Sequence, residues 1–476
     1  MTPTLSDESA AITLCAEGAV LSDAGDLAGA IARYEEAVTI APSVLELHLI
    51  LANAQQLAGR AIEARTTLRR AVRVAERADA TTDFTLGKAL VDAGAGAAAV
   101  GCFRRVHAEY PADVAAASAL AAALREAQQP DDAWVAISAA LRMAPSDPVV
   151  LLNAALIRHD LSDFSGALDY CDRSLAIRPD ASGVRVTRGY LRQLLGDEAG
   201  AWTDFESRPL PEPSIATPRW RGEALDGKSI LVLGEQGVGD QFQFLRFVHH
   251  PSLAVASRVI VACQPDAVPL LRASGYNAVA RTETVFADYY VPMLSLPLIL
   301  GVNGDWQGAG TTYVAAPTVQ APPAVRATRV GIVWAGNPEH RNDAVRSLAP
   351  SLLHGLLHTH PRVQFVSMQH GAAAAELPPG IAEHHNGGDW LATARALCTL
   401  DLLITVDTGI AHLAGALGMS VWLLVPHVPD WRWGMSGSRT PWYPSVRLFR
   451  QPARGDWSRV LTNVSAALSG AVLGAR

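Results

Sequence analysis

The first two hundred residues repeat a pattern of small and large apolar positions. A small residue recurs every 34 or 35 positions, and a larger apolar residue follows it four positions later. The small residues are Ala30, Ala64, Ala99, Ala133, Ala167 and Ala201, and the larger ones are Tyr34, Leu68, Phe103, Ile137, Cys171 and Phe205. Proline, which ends helices, stands twelve positions after the alanine in five of the six registers. This period predicts six stacked helical hairpins.

The period of 34 is typical of tetratricopeptide repeats (TPR), whose hairpins stack into a solenoid with a concave groove. We predict an all-α TPR solenoid over residues 11–209. Such grooves bind a peptide or protein segment, so a protein partner is expected here. No position within the repeats indicates chemistry, and their conspicuous residues are interpreted as packing.

After the repeats, the purely helical pattern of apolar positions gives way to a mixture of strands and helices. Residues 210–225 are rich in proline and are predicted to form a linker between two bodies. Beyond them, short apolar runs alternate with stretches of helix length, which predicts parallel sheets covered by helices. We assign residues 226–325 to a first α/β lobe and residues 326–476 to a second one. Two lobes facing a cleft fit a nucleotide-sugar transferase, although the alternation also allows other two-lobed α/β enzymes.

The composition excludes several classes of protein. Of 476 residues, 49% are apolar and 18% charged, as in folded globular proteins. The net charge is −7 and no run of Lys and Arg forms a basic stripe, so nucleic acid is not an expected partner. Five scattered cysteines without a C-x-x-C pair fit a reducing cytoplasm. No signal peptide or membrane span is predicted.

A strand-to-helix turn in the second lobe has the features of an anion site. Asp407, Thr408 and Gly409 follow a predicted strand, and His412 lies one turn into the next helix. Free N–H groups and the helix dipole at such a start favour the diphosphate of an activated sugar. The alternative is that Asp407 or Thr408 caps the helix and His412 packs against it.

A glycine-rich turn in the first lobe carries a carboxylate. Gly237 and Gly239 precede Asp240 after the predicted strand at 229–233. Turns at strand ends of open α/β sheets face the ligand crevice, where Asp240 would take a proton from an attacking hydroxyl. The alternative is that Asp240 only caps a helix, and the turn does not match the full dinucleotide-binding fingerprint.

Further candidates lie in the second lobe. They are the loop residues Gly336, Asn337, His340 and Arg341, and the sugar or base contacts Gln369, Asp430 and Trp431. A cation in the loop would neutralise the departing phosphate, whereas the alternative is a solvated loop. Aromatic clusters such as the one around Trp431 more often pack than bind. No D-x-D pattern follows residue 226, so no metal site is predicted, and no cofactor beyond the nucleotide-sugar is expected.

Four segments of the second half resemble the heptosyltransferase-like (family 9) GT-B glycosyltransferases, most closely those fused behind TPR repeats in bacteria. The segments begin at Glu235, Gly331, Asp401 and Pro429. The resemblance implies two Rossmann-like lobes, with the acceptor at the first and the nucleotide-sugar at the second. It implies that Asp240 stands at the proposed catalytic base and that residues 407–412 form the donor motif. The phosphate-binding lysine of that family falls near residues 340–341.

The resemblance also implies a function. Fusions of this kind resemble flagellin glycosyltransferases, so we expect a cytoplasmic, metal-independent, inverting enzyme that transfers a sugar to Ser or Thr hydroxyls of a protein. Two alternatives stay open. The chain is a non-catalytic scaffold with a degenerate GT-B domain, or its acceptor is lipopolysaccharide or another glycan.

Overall fold

The computed structural model describes the chain except residues 1–4, 76–78, 304, 307–309, 311, 319–326, 339, 341, 382, 386–387 and 475–476. It divides into two compact units, Met1–Thr187 and Arg188–Arg476. The division falls inside a helix of the last repeat, and not at the predicted boundary after residue 209.

The repeat region is helical, as the period predicts. Its described residues form twelve helices, which are α1 Leu5–Asp23, α2 Leu27–Ile40, α3 Leu45–Leu57, α4 Ala61–Val74, α5 Ala80–Asp92, α6 Gly96–Glu109, α7 Val114–Glu126, α8 Pro130–Met143, α9 Pro148–Asp160, α10 Phe164–Ile177, α11 Ser182–Leu195 and α12 Glu198–Phe205. Consecutive helices pack as hairpins. The TPR-like solenoid is therefore confirmed.

The small positions of the repeat are the points where helices touch. Ala30, Ala64 and Ala99 are fully buried. A Cβ atom on Gly87 would lie 2.7 Å from the ring of Phe103, so a larger residue there would push the two helices of the hairpin apart.

The second unit begins with a small parallel sheet. Its described strands are β1 Ser229–Leu233, β2 Arg258–Cys263, β3 Ala278–Ala280 and β4 Tyr289–Pro292, in the order β3-β2-β1-β4. The helices α13 Val238–Phe244, α14 Pro251–Ala254, α15 Val268–Ala273 and α16 Leu296–Leu300 connect or follow them. Short β3 was not predicted.

A larger parallel sheet follows. Its described strands are β5 Arg329–Val333, β6 Gln364–Ser367, β7 Glu383–His384, β8 Leu402–Val406, β9 Val421–Val425 and β10 Val446–Arg450, in the order β10-β9-β8-β5-β6-β7. The helices are α17 Asp343–Arg346, α18 His354–Thr359, α19 Trp390–Leu397, α20 Gly409–Ala416 and α21 Trp457–Gly474. The central strands β1 and β8 each lead through a turn into a helix, α13 and α20.

Part of the proline-rich segment pairs with the first sheet, and its role as a linker between two bodies stays a prediction. The backbone N–H of Trp220 donates to the carbonyl of Tyr290 at 2.7 Å, and the N–H of Tyr290 donates to the carbonyl of Pro218 at 2.9 Å. The side chain of Trp220 is 1% exposed. Proline is tolerated at a sheet edge because no ladder partner needs its missing N–H, and this segment lies along β4 at that edge.

From Arg188 onward the last hairpin belongs to the second unit, and its aromatic side chains pack there. The rings of Trp202 and Phe205 lie 5.8 and 6.0 Å from that of Trp431. Arg208, just beyond the hairpin, forms a two-bonded ion pair with buried Glu235 at 2.7 and 2.8 Å. This hairpin is thus fixed to the turn that follows β1.

None of the helices in the described part of the chain is both long and apolar enough to cross a membrane.

Candidate functional site

The turns that follow β1 and β8 touch each other. A Cβ atom on Gly239 would lie 2.9 Å from Cδ2 of His412 and 3.2 Å from Cα of Gly409. Glycine at position 239 therefore allows the start of α13 to lie against the start of α20. The two motifs singled out in the sequence lie in one place, although 170 residues separate them.

Asp240 has both a capping role and an ionic one. Its Oδ2 accepts a hydrogen bond from the backbone N–H of Gly237 at 3.0 Å, which caps the first turn of α13. Its Oδ1 accepts from the guanidinium of Arg432. The preceding Gln236 has a φ of 55°, an uncommon conformation for a residue with a side chain. Asp240 therefore caps α13, as the alternative held, and it also forms an ion pair with Arg432.

Arg432 joins the two turns. Besides Asp240 it contacts Asp430, with Nη1 donating to Oδ1 at 3.0 Å, and Gln243, with Nε donating to Oε1 at 2.5 Å. Burial lowers the pKa of the guanidinium, but Asp430 and Asp240 outweigh this effect and raise it. The permanently charged Arg432 therefore bridges Asp240, which follows a strand of the first sheet, and Asp430, which follows a strand of the second.

Asp407 and His412 form the second half of the site. Nε2 of His412 lies 3.7 Å from Oδ1 of Asp407, and Nδ1 lies 2.9 Å from the hydroxyl of Tyr443. The imidazole stacks on Trp433 with ring centroids 5.4 Å apart. Burial, with Arg432 adding to it, lowers the pKa of His412 to about 3. His412 is therefore a neutral hydrogen-bonding group at physiological pH, not a cation.

The carboxylate of Asp407 is in a different environment. Burial and the nearby charge of Asp430 raise its pKa, while Arg346 acts to lower it. Thr408 is the extended N-cap of α20 without a capping bond from its side chain, and its hydroxyl lies 3.3 Å from that of Thr405. Thr408 is thus the N-cap residue of α20, as the alternative held, although its side chain makes no capping bond.

Acid unfolding tests the environment of His412. In the unfolded chain a histidine gains its proton near pH 6.5, whereas folded His412 resists it until about pH 3. Its contribution to stability is thus complete above pH 6.5 and is lost as pH falls from there toward 3. Asp407, with its raised pKa, contributes in the opposite direction.

We expect His412→Gln to lose stability less steeply than the wild type between pH 6.5 and 4, in urea unfolding at several pH values. The control His358→Gln, at an exposed position on α18, should follow the wild-type slope. Equal slopes for wild type and His412→Gln would contradict the buried neutral imidazole.

The loop after β5 adds a cation that the sequence analysis missed. A Cβ atom on Gly336 would lie 2.5 Å from both Nη2 of Arg346 and Oδ1 of Asp343, so this glycine makes room for their ion pair. Exposed His340 is within electrostatic range of Arg346 and Asp407. Asn337 is also exposed. The predicted cation Arg341 lies outside the described residues, and Arg346 is a described cation close to Asp407.

Two predicted sugar contacts have structural roles. Oε1 of Gln369 accepts from the backbone N–H groups of Trp334 and Ala335 at 3.0 and 2.9 Å, and its Nε2 donates to the carbonyls of Ala335 and His370. Through these bonds to backbone, Gln369 fixes the start of the loop after β5, and its contact with a sugar or base stays a prediction. Trp431 is buried in an aromatic cluster, as the packing alternative held.

Trp390 contacts residues that follow strands of both sheets. The sequence analysis did not single it out. Its indole N–H donates to Asp266 at 3.0 Å, and its ring meets Phe242 edge-on at 5.2 Å. A Cβ atom on Gly409 would lie 3.3 Å from this ring. A single tryptophan at a helix start carries no sequence signal for such a role.

The contact between the turns predicts the effect of a single methyl group. Gly239→Ala forces the turns apart, because the new atom would overlap His412 and backbone of Gly409. We expect a loss of about 1–3 kcal/mol in the free energy of unfolding, measured with urea. The control Gly355→Ala, in α18 with nothing within 4 Å of its Cβ position, should be neutral or slightly stabilising. Equal stability of the two variants would contradict the close contact.

The chain has recognisable relatives. It is similar to Protein FlbA of Caulobacter vibrioides, with 26% identity and coverage of 75% of this chain and 73% of the relative. Among solved structures it is similar to a tetratricopeptide repeat protein from Parabacteroides merdae, with TM-score 0.35, 17% identity and coverage of 42% and 82% of the two chains. It is also similar to YrrB, a TPR protein with an unusual peptide-binding site, with TM-score 0.30, 21% identity and coverage of 37% and 89%. No protein-family model matches the chain.

Proposed function

We propose that the chain is a protein glycosyltransferase of the GT-B type, which transfers a sugar from a nucleotide-sugar to a Ser or Thr hydroxyl. The observation that carries the proposal is the meeting of Asp240, at the end of the first sheet's central strand, with Asp407 and His412, at the end of the second sheet's central strand. Crevices at the carboxyl ends of central strands are where open α/β sheets bind ligands.

Each group has a role in the proposed reaction. Asp240 takes the proton of the acceptor hydroxyl as its oxygen bonds to the anomeric carbon. The bond from that carbon to the phosphate oxygen breaks, and the nucleotide leaves as a nucleoside diphosphate, or as the monophosphate from a CMP-sugar. Arg346 and the start of α20 offset its negative charge. Asp407 and neutral His412 are positioned to accept and donate hydrogen bonds to the sugar.

The tight contact between the turns has a consequence for the donor. Gly239 and Val238 lie against Gly409 at the first residue of α20. A diphosphate reaches the N–H groups there when the turns separate, so the proposal includes opening of the two sheets' turns before donor binding. Arg432, which ties Asp240 to Asp430, is the contact that opening breaks.

The solenoid supports the choice of acceptor. TPR grooves bind peptide or protein segments, and the chain devotes twelve of its described helices to such repeats. We propose flagellin as the acceptor, following the resemblance of the sequence, and the cytoplasm as the place of the reaction.

The test is to incubate the enzyme with a panel of UDP-, GDP-, ADP- and CMP-sugars and flagellin. Free nucleotide is measured by chromatography and the mass of flagellin by intact mass spectrometry. We expect one donor to be consumed, with one mass increment for each nucleotide released. Consumption of a donor with lipopolysaccharide and not with protein would assign the acceptor to glycans. Binding of flagellin without consumption of any donor would reject the enzyme and favour the non-catalytic scaffold.

A further inference from the structure

Tyr443 is a buried side chain of the candidate site that has no role in the proposed reaction. It lies in the segment between β9 and β10 and is 1% exposed. A Cβ atom on Gly415 would lie 2.5 Å from Cδ1 of its ring, so a side chain at this position of α20 would exclude the ring. Glycine inside a helix costs stability relative to alanine, and here it makes room for Tyr443 beside His412.

The imidazole of His412 is held by the rings around it. Its plane is tilted by 25° from that of Trp433, with ring centroids 5.4 Å apart, and the ring of Tyr443 lies 5.8 Å away. His412 is only 6% exposed. A half-turn of the imidazole would take its two nitrogens away from their present partners, Asp407 and Tyr443. Each nitrogen therefore has an environment of its own.

These two partners determine which nitrogen of His412 carries the proton. A neutral imidazole has one N–H donor and one lone pair. Nε2 lies 3.7 Å from Oδ1 of Asp407, and an ionised carboxylate can only accept. Nδ1 lies 2.9 Å from the hydroxyl of Tyr443, which can donate or accept. A proton on Nε2 satisfies both partners, whereas a proton on Nδ1 would turn a lone pair toward the carboxylate.

Tyr443 has the proton that a bare Nδ1 requires. Burial, with Tyr313 adding to it, raises the pKa of the Tyr443 hydroxyl well above its usual value, although Arg246 acts to lower it. The hydroxyl is therefore protonated at physiological pH. It donates to Nδ1 of His412 over 2.9 Å, an ordinary hydrogen-bond length.

The proton on Nε2 stays available to a ligand. The distance of 3.7 Å from Nε2 to Asp407 is longer than a hydrogen bond. Cδ2 of His412, the ring carbon bonded to Nε2, and Cα of Gly409 lie 2.9 and 3.2 Å from the Cβ position at Gly239. Nε2 is therefore close to the start of α20, where free N–H groups favour a negatively charged oxygen. An oxygen that enters when the turns separate can accept from this nitrogen.

We infer that Tyr443 is a positioning residue, which holds neutral His412 with its proton on Nε2 so that this N–H donates to an oxygen of the nucleotide-sugar. The inference rests on the proposed function for its ligand. It gives the site a hydrogen-bond donor without a second positive charge beside Arg432, which a protonated His412 would repel.

The tautomer is tested by NMR of the protein labelled with ¹⁵N-histidine, near pH 7. The experiment correlates the ring nitrogens with the carbon-bound ring protons, because a protonated nitrogen and one with a lone pair have well-separated ¹⁵N shifts. His412→Gln identifies the signals of His412 by their loss. We expect Nε2 at the shift of a protonated nitrogen and Nδ1 at that of a nitrogen with a lone pair. This measurement on the wild type does not depend on the folding of any Tyr443 variant.

The role of Tyr443 is tested by Tyr443→Phe, which removes the hydroxyl and keeps the ring against Gly415. We expect the Nδ1 signal of His412 to move, since it loses its hydrogen bond. We also expect kcat/KM for the nucleotide-sugar to fall about fivefold, the effect of one hydrogen bond. Tyr276→Phe is the matched control, because the hydroxyl of Tyr276 lies 2.6 Å from Nε2 of another histidine, His249. It should leave the His412 signals and kcat/KM unchanged.

The outcomes separate this inference from the proposed function. A proton on Nδ1 of His412 in the wild type, or an Nδ1 signal unchanged by Tyr443→Phe, would overturn the inference even if the protein transfers sugar to flagellin. The expected signals in a protein that consumes no donor would keep the role of Tyr443 in fixing His412 and reject the proposed function.

Discussion

Asp240→Asn is expected to lower the rate of sugar transfer by about 100-fold or more while the protein stays folded. Asparagine is isosteric and still caps α13 through the N–H of Gly237, but it cannot take the proton of the acceptor hydroxyl. Arg432 keeps its bonds to Asp430 and Gln243, so the loss of one partner leaves its charge paired. Initial rates of nucleotide release in the presence of flagellin measure the effect.

A second capping aspartate supplies the control. Asp197 accepts from the N–H of Gly200 at 3.0 Å and lies 3.4 Å from Arg192, so it also combines a helix cap with an ion pair. It is remote from the proposed reaction, and Asp197→Asn should change the rate less than about twofold. Full activity of Asp240→Asn would remove this residue as the base.

Arg432→Met is expected to lower the free energy of unfolding of the second unit by about 3 kcal/mol. The guanidinium is 10% exposed and neutralises Asp240 and Asp430, which would be left facing each other with no cation between them. Methionine retains much of the packing volume, so the lost charge dominates. Urea unfolding followed by tryptophan fluorescence reports this unit, because ten of the eleven tryptophans lie beyond residue 187.

The ion pair of Arg432 with Asp240 can be tested by a double-mutant cycle. The variant Asp240→Asn/Arg432→Met should lose less stability than the sum of the two single variants, since Asp240→Asn removes a carboxylate that Arg432→Met alone leaves unpaired. Arg432→Lys should lose less than Arg432→Met, because lysine keeps the charge but not the planar fork. Additive single effects would contradict the ion pair.

The parts of the fold that the sequence predicted are those with a local periodic signal. The 34-residue period predicts the hairpins because each alanine must lie where helices touch, and β1 and β8 are predominantly apolar runs of strand length. Strands β3 and β7 are too short for such a signal, and β10 alternates apolar residues with Arg447 and Arg450. The pairing of residues 218–220 with β4 was not predicted, because proline is found in linkers and at sheet edges alike.

The candidate site was predicted only as far as its turns. Strand, glycine turn and helix start are local features, so Asp240 and residues 407–412 could be singled out. Arg432 contacts Asp240 across 192 positions, and no local pattern pairs them. Likewise Arg346 and Trp390 lie at the site only because α17 and α19 pack there, which no local pattern predicts. The structural role of Gln369 was not predicted, because its backbone acceptors and donors become evident only in the folded chain.

The proposed function is tested most directly by the intact mass of flagellin co-expressed with the wild-type chain, Asp240→Asn or Asp197→Asn. We expect a discrete mass increment with wild type and with Asp197→Asn, and unmodified flagellin with Asp240→Asn. Unmodified flagellin in all three cultures, or the same increment in all three, would contradict it.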